Sequence, residues 1–217
     1  MRPVIPASEF DARVKKTQES MREQGIDILL AYGNEAEPQF QRYYSDYWPS
    51  FESAGVMFAA EGDPVLLIGP ESMTFAKDRS RIRDIRRLAA FRESSNPEYP
   101  GHVLQTFADV IEDLVRGGEP KRLAIAGYNL VPHYLFEELR ESLKRFNNIE
   151  IVRGDELVMK QRMIKSPAEI ECMRYAGRIT AQTMDYVIEH IKPGMTELEV
   201  RGLALGRMHE LSAENEA

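Results

Sequence analysis

The feature that most constrains this chain is a glycine-stopped amphipathic helix that runs directly into a short, unbroken apolar segment. Ser8 stands as the expected N-cap of that helix, with acidic Glu9 and Asp11 in its first turn, where the helix dipole favours negative charge. Phe10, Val14, Thr17 and Met21 recur at three- and four-residue spacing on one face, and Gly25 ends the helix. Ile26-Asp27-Ile28-Leu29-Leu30-Ala31-Tyr32 follows at once and reads as a buried strand. A helix stopped by glycine and followed by such a strand belongs to folds that lay helices on a sheet, so the chain is α/β from its start.

The same alternation continues. Ala54-Gly55-Val56-Met57-Phe58-Ala59-Ala60 and Val65-Leu66-Leu67-Ile68-Gly69 flank Glu61-Gly62-Asp63-Pro64 and predict a hairpin. A short helix is expected over Pro70 to Lys77 and a strand near Ile82 to Leu88. From Gly101, the spacing of Val103, Leu104, Phe107, Val110, Ile111 and Leu114 predicts a helix closed by Gly117-Gly118. A strand over Arg122–Gly127, a helix over Tyr134–Phe146 and a strand over Ile149–Val152 complete residues 1–153. The expectation is a three-layer α/β/α domain with helices on both faces of a mixed sheet.

Residues 154–165 and 166–217 read differently. Asp155 is placed to cap a helix through Met163, which makes 154–165 a junction. Ser166-Pro167-Ala168-Glu169 is a capping box with proline at the first helical position, and Thr196-Glu197-Leu198-Glu199 is a second box. Between them, Ile170, Met173, Ala176, Gly177, Thr180, Met184, Val187, Ile188 and Ile191 form one apolar face. Long amphipathic helices need a surface to cover, and the α/β part already has helices of its own. Residues 166–217 are therefore expected to be the first helices of a second domain whose sheet lies outside this sequence, so that the chain stops before a catalytic centre.

Charge narrows the partners. A net charge of −7 argues against a general nucleic-acid binder, because counterion release needs a dominant basic surface. The local basic run Lys77, Arg79, Arg81, Arg83, Arg86 and Arg87 reads as a solvated strand face and its flanks, with a site for an acidic partner as the minority reading. The single cysteine, Cys172, cannot form an internal disulfide, and its helical setting suggests a packed, inert thiol. No segment has the apolar core of a signal peptide or the length of a membrane span, so a cytoplasmic location with no membrane partner is expected. His102, His133, His190 and His209 are scattered without ligand spacing, and no metal or catalytic residue is assigned within the chain.

The segment Arg162-Met163-Ile164-Lys165-Ser166-Pro167-Ala168-Glu169-Ile170 resembles the R-x-I-K-[ST]-x-x-E-[IL] junction of the creatinase/prolidase family of pita-bread metallopeptidases. Pro193-Gly194-Met195-Thr196-Glu197-Leu198-Glu199 is similar to that family's P-G-x-[TS]-E-x-E phrase, and the hairpin around Gly62-Asp63-Pro64 also looks like its N-terminal domain. The resemblance implies a ribonuclease-H-like N-terminal domain followed by a catalytic domain that holds two divalent metals (manganese, cobalt or zinc). Its ligands would be two aspartates, a histidine and two glutamates, all beyond the second phrase and so outside this sequence. It further implies a homodimer, and a small peptide or guanidino-type substrate such as an X-Pro dipeptide or another small C–N compound.

One loop is the candidate for contact with that substrate. Phe40 to Ser53 holds Phe40, Tyr43, Tyr44, Tyr47, Trp48 and Phe51, including the only tryptophan of the chain, between the first strand and the hairpin. Tyr43 and Tyr44 are read as core aromatics of a short helix or a strand edge. Tyr47, Trp48, Phe51 and Glu52 are the candidate substrate-binding residues, an aromatic wall with one carboxylate that could meet an amine or guanidinium. The loop does not match the family's better-known members residue by residue. A free-standing, non-catalytic dimerisation or partner-binding domain is the alternative.

Overall fold

The first strand of the sheet is β1, Ile28–Asn34, reached from helix α1, Ala7–Gln24. The chain continues through a short helix α2 (Arg42–Ser45), strand β2 (Ser53–Ala59), strand β3 (Val65–Ile68), helix α3 (Met73–Arg79) and strand β4 (Ile85–Arg87). Helix α4 (Phe107–Val115), strand β5 (Arg122–Ala126), helix α5 (His133–Leu143), strand β6 (Glu150–Arg153) and helix α6 (Asp155–Met163) follow. Helices α7 (Pro167–His190) and α8 (Glu197–Glu210) come last. This computed structural model describes residues 2–50, 52–93 and 99–213.

The six strands form one mixed sheet in the order β4-β3-β2-β1-β5-β6. Strand β1 is antiparallel to β2 and parallel to β5, with Leu30 opposite Met57 and Leu29 opposite Ala124. Because side chains alternate across a strand, each strand feeds both faces. Leu29, Ala31, Val56, Phe58, Leu66 and Ala124 pack on one side with Val14 and Met21 of α1 and Val158 of α6. Leu30, Tyr32, Met57, Leu67 and Ile125 pack on the other with Phe107, Val110 and Ile111 of α4 and Leu135 and Leu139 of α5. This is the expected three-layer α/β/α arrangement. Burying Phe58 alone contributes on the order of 1.5–3 kcal/mol of transfer free energy.

Polar residues within this core have assigned work. Asp27, the one acid in the first apolar run, accepts the backbone N–H groups of Lys121 and Arg122 at 2.7 and 2.8 Å and so fixes the start of β5. Thr17 of α1 donates to the Arg13 carbonyl and meets the Tyr44 hydroxyl at 2.8 Å, while Gln161 of α6 donates to its oxygen at 2.7 Å. Since the Thr17 proton is committed to Arg13, the Tyr44 hydroxyl is the donor. Tyr44 is buried and Tyr43 stacks under the Arg13 guanidinium at 4.2 Å, so both belong to the packing of α1 on α2, as expected.

Several boundaries differ from the sequence reading. Helix α1 begins at Ala7, so Ser8 lies inside its first turn rather than at its cap, a shift common at fraying helix ends. Helix α4 begins at Phe107, not near Gly101. Gln105 is drawn into an extended bridge with Leu88, and the Thr106–Asp109 capping box then starts the helix, leaving Val103 exposed at 78%. The strand expected from Ile82 is shortened to Ile85–Arg87, because Ser80 and Arg81 turn back toward the Ser45 carbonyl and the Ile82 N–H. Asp155 does not cap α6. Gly154 holds that position, and the Asp155 carboxylate accepts the N–H groups of Gly127 and Tyr128 at the end of β5. Within the basic run, Arg86 bridges Asp84 and Asp113, Arg81 meets Asp46 and Arg79 meets Asp78.

Residues 7–164 form one unit; residues 1–6 and 165–217 form another. In the second, Ser166 and Thr196 each accept the N–H of the glutamate three residues on, and that glutamate accepts the cap N–H in return. The expected apolar face of α7 is largely open: Met173, Met184 and Ile188 are exposed, and only Ile179 and Thr183 of the helix are buried.

Candidate functional site

The sheet's directions decide where the aromatic loop lies. Strand β1 runs parallel to β5, β5 to β6 and β3 to β4, while β2 opposes both β1 and β3. Every strand except β2 therefore ends at one edge, and β2 begins there. Open α/β sheets present ligand-binding loops at that carboxyl edge. The connection from Glu35 to Glu52 sits on it, together with the turns that follow β3 and β4.

The loop is wired by its own polar side chains. Gln41 donates to the Tyr47 carbonyl at 2.8 Å and accepts from Ser45 Oγ at 2.9 Å, and the Tyr47 N–H donates to Ser45 Oγ at 3.1 Å. Asp46 takes the left-handed conformation at φ 57°, where a short polar side chain is tolerated, and turns the chain toward Tyr47. Gly69 allows the turn after β3 to approach the segment after β4. A Cβ there would stand 2.4 Å from the Phe91 carbonyl oxygen, so no other residue fits.

Tyr47 and Glu52 meet inside this wiring. The Tyr47 hydroxyl donates to Glu52 Oε1 at 2.5 Å, and its ring packs edge-on against Phe75 of α3 at 5.7 Å. Tyr47 is fully buried and Glu52 is 8% exposed, with Oε2 buried and without a hydrogen-bond partner. Burial is the main force raising the Glu52 carboxyl; Ser72 and Tyr47 pull it down, and acidic Glu93 and Glu71 push it up. The result is a carboxyl pushed up to about 7. Burial, then the neighbouring Glu52, drives the Tyr47 phenol well above the usual tyrosine range.

Trp48 belongs to the same loop but not to that pair. Its Nε1 donates to the Glu35 carbonyl at 2.8 Å, and the Arg42 guanidinium lies 4.4 Å from its ring centroid. The Glu35 N–H donates to the Glu52 carbonyl at 3.2 Å, closing the two ends of the loop on each other. Phe51, the fourth candidate, lies outside the described residues. Sequence reasoning missed Arg42, Ser72, Glu71 and Glu93. The last three come from distant segments that only the strand order brings to this edge. Arg42 stood six residues from Trp48 and could have been noticed as its cationic partner.

No group of three histidine, cysteine or acidic side chains among the described residues could hold a metal. The two-metal centre that the junction phrases imply therefore has no fitting ligand set here. Among the described residues no helix is long and apolar enough to cross a membrane.

Residues 13–164 match the creatinase/prolidase N-terminal domain. The chain belongs to this family. Residues 171–217 match metallopeptidase family M24. Among curated relatives, ectoine hydrolase of Halomonas elongata is 24% identical over 194 residues, covering 86% of this chain and 45% of that protein. Among solved structures, the prolidase of Pyrococcus horikoshii superposes with a TM-score of 0.68 at 23% identity, over 94% of this chain and 50% of that one. The X-Pro aminopeptidase of Thermotoga maritima gives 0.70 at 22%, over 93% and 50%. At such identities these structures share the fold. This family member spans about half the length of the relatives it matches.

Proposed function

We propose that this chain is the substrate-side N-terminal domain and the opening helices of a metal-dependent hydrolase that cleaves X-Pro dipeptides or a related small C–N substrate. The observation that carries the reading is the family order along the chain: an N-terminal domain match over 13–164, followed by a metallopeptidase match from 171. Tyr47, Trp48, Phe51 and Glu52 are assigned to the substrate side because their loop stands at the carboxyl edge of the sheet. Trp48 supplies an aromatic face with the Arg42 cation beside it. Glu52 sets the loop's shape through Tyr47 and meets a cationic group only in its ionised form. Two divalent metals (manganese, cobalt or zinc) would supply water activation and carbonyl polarisation in such an enzyme, held by ligands that the described residues do not provide. A cytoplasmic homodimer is part of the same reading.

The test is hydrolysis of X-Pro dipeptides with added manganese or cobalt. The 217-residue chain alone is expected to show none. Joined to a metal-bearing catalytic domain of the family it is expected to turn over, and Trp48→Ala is expected to raise KM about tenfold, the cost of one lost aromatic contact. Turnover by the isolated chain, freed of contaminants, would overturn the proposal. The ectoine hydrolase relative favours a second substrate, ectoine, to be run beside the dipeptides. A free-standing partner-binding domain is the outcome if neither is cleaved in the joined protein.

A further inference from the structure

The loop contains an acid that its surroundings do not neutralise. Glu52 is nine-tenths buried, one oxygen accepts the Tyr47 hydroxyl at 2.5 Å, and the other is sealed from solvent with no hydrogen-bond partner. The groups acting on it come from each neighbouring segment: Tyr47 from its own loop, Ser72 and Glu71 from the turn after β3, and Glu93 from the segment after β4. The charges among them are both acidic, and Glu71 is itself hydrogen-bonded by the Tyr99 hydroxyl. Burying a carboxylate is costly, like charges nearby add to that cost, and the hydroxyls of Ser72 and Tyr47 offset it only in part. A neutral carboxyl removes the charge and its repulsion by the two glutamates, and still accepts from Tyr47. In this closed packing Tyr47 lies edge-on against Phe75 of α3 while its hydroxyl donates to Glu52.

We propose that Glu52 and Tyr47 form a proton-operated latch, in which neutral Glu52 holds the loop onto α3 and ionised Glu52 releases it. The balance lies near neutrality, since burial and the two glutamates push the Glu52 carboxyl up to about 7. Trp48 is coupled to the latch through the backbone: the Glu52 carbonyl accepts the Glu35 N–H, and the Glu35 carbonyl accepts the Trp48 indole. Release therefore changes the surroundings of the wall assigned above to the substrate side. The latch regulates that same loop, but it can be tested without substrate, so either reading can fail alone.

The chain carries its own reporter, because Trp48 is its only tryptophan. Its emission, followed from about pH 5.5 to about pH 8.5, is expected to change in one sigmoidal step centred near pH 7. Glu52→Gln keeps an acceptor for Tyr47 and cannot ionise, so the step is expected to vanish while far-ultraviolet circular dichroism stays unchanged. Ser72→Ala removes the larger of the two influences that lower Glu52 and is expected to move the step to higher pH. A flat emission profile overturns the latch. So does a step that survives in Glu52→Gln. Should Glu52→Gln fail to fold, carboxyl-carbon resonances of the unaltered protein decide: one glutamate titrating near pH 7 supports the latch, and all titrating below about pH 5.5 overturns it.

Discussion

In residues 7–164 the sheet is buried on both faces, whereas α7 buries only Ile179 and Thr183 and α8 buries no residue fully. The two units nevertheless carry helices with the same start signal. Thr106 opens α4, Ser166 opens α7 and Thr196 opens α8, each with a reciprocal capping box. Local hydrogen bonding can therefore mark a helix whether or not a core receives it. In the first unit the free energy resides in cross-sheet packing, and the candidate loop is tied onto it by the hydrogen bonds of Gln41, Ser45 and Tyr47. In the second, the sequence defines helices whose apolar side chains remain open.

The sharpest way to break this contrast is to remove one large side chain from each unit. Phe58 is fully buried, and Phe58→Ala is expected to cost about 3–5 kcal/mol through lost transfer energy and a cavity. Leu198 is 77% exposed, and Leu198→Ala is expected to change stability by no more than about 0.5 kcal/mol. Chemical denaturation followed by circular dichroism measures both. Comparable losses would mean that the helical unit has a core of its own.

Protonation gives the next largest effect, and it too falls on the first unit. Glu52 has a folded value of about 7 against an ordinary value of 4.5, so the folded state holds a proton that the unfolded state gives up. Its contribution is fully present below about pH 4.5, declines as pH rises, and is gone above about pH 7. The decline amounts to about 3 kcal/mol at about 1.4 kcal/mol per unit of pKa difference. Denaturant midpoints of the unaltered protein should thus fall relative to Glu52→Gln between those limits. Parallel pH profiles for the two proteins would show that Glu52 is not held neutral.

A smaller loss is expected at the Thr17 hydroxyl, which ties α1, α2 and α6 together. Thr17→Val keeps the shape but leaves the Tyr44 hydroxyl and the Gln161 amide short of a buried acceptor. The expected cost is about 2 kcal/mol, read as a lower unfolding midpoint at unchanged fold. A neutral result would mean that water replaces the hydroxyl.

These cases also separate what the residues announced from what they concealed. The hairpin over Ala54–Gly69 and the capping box at Ser166 were legible because their signals lie within a few residues of each other. The false helix start near Gly101 arose because Val103 and Leu104 happen to fall in phase with Phe107, while the pairing of Gln105 with Leu88 is a long-range event. Asp155 looked like a cap because spacing does not reveal the N–H groups of Gly127 and Tyr128. The candidate loop was legible as an aromatic concentration. Its governing contact was not, since the burial of Glu52 and the approach of Ser72, Glu71 and Glu93 follow from strand order.

The smallest effect tests the contrast most directly, because the same chemical change can be made in both units. Thr106→Ala and Ser166→Ala each remove one capping hydroxyl and free one N–H, at about 1 kcal/mol per helix. In α4 the first turn carries Phe107, Val110 and Ile111 into the core, so fraying there cannot be separated from global unfolding. Thr106→Ala should therefore lower the denaturation midpoint of the α/β unit by the full amount. In α7 the first two turns hold Ile170 and Met173, both exposed, so the loss can be absorbed by local opening. Ser166→Ala should leave that midpoint unchanged and raise amide exchange about fivefold over the first turn of α7 alone. If Ser166→Ala instead lowers the midpoint as far as Thr106→Ala does, the second unit is folded cooperatively with the first.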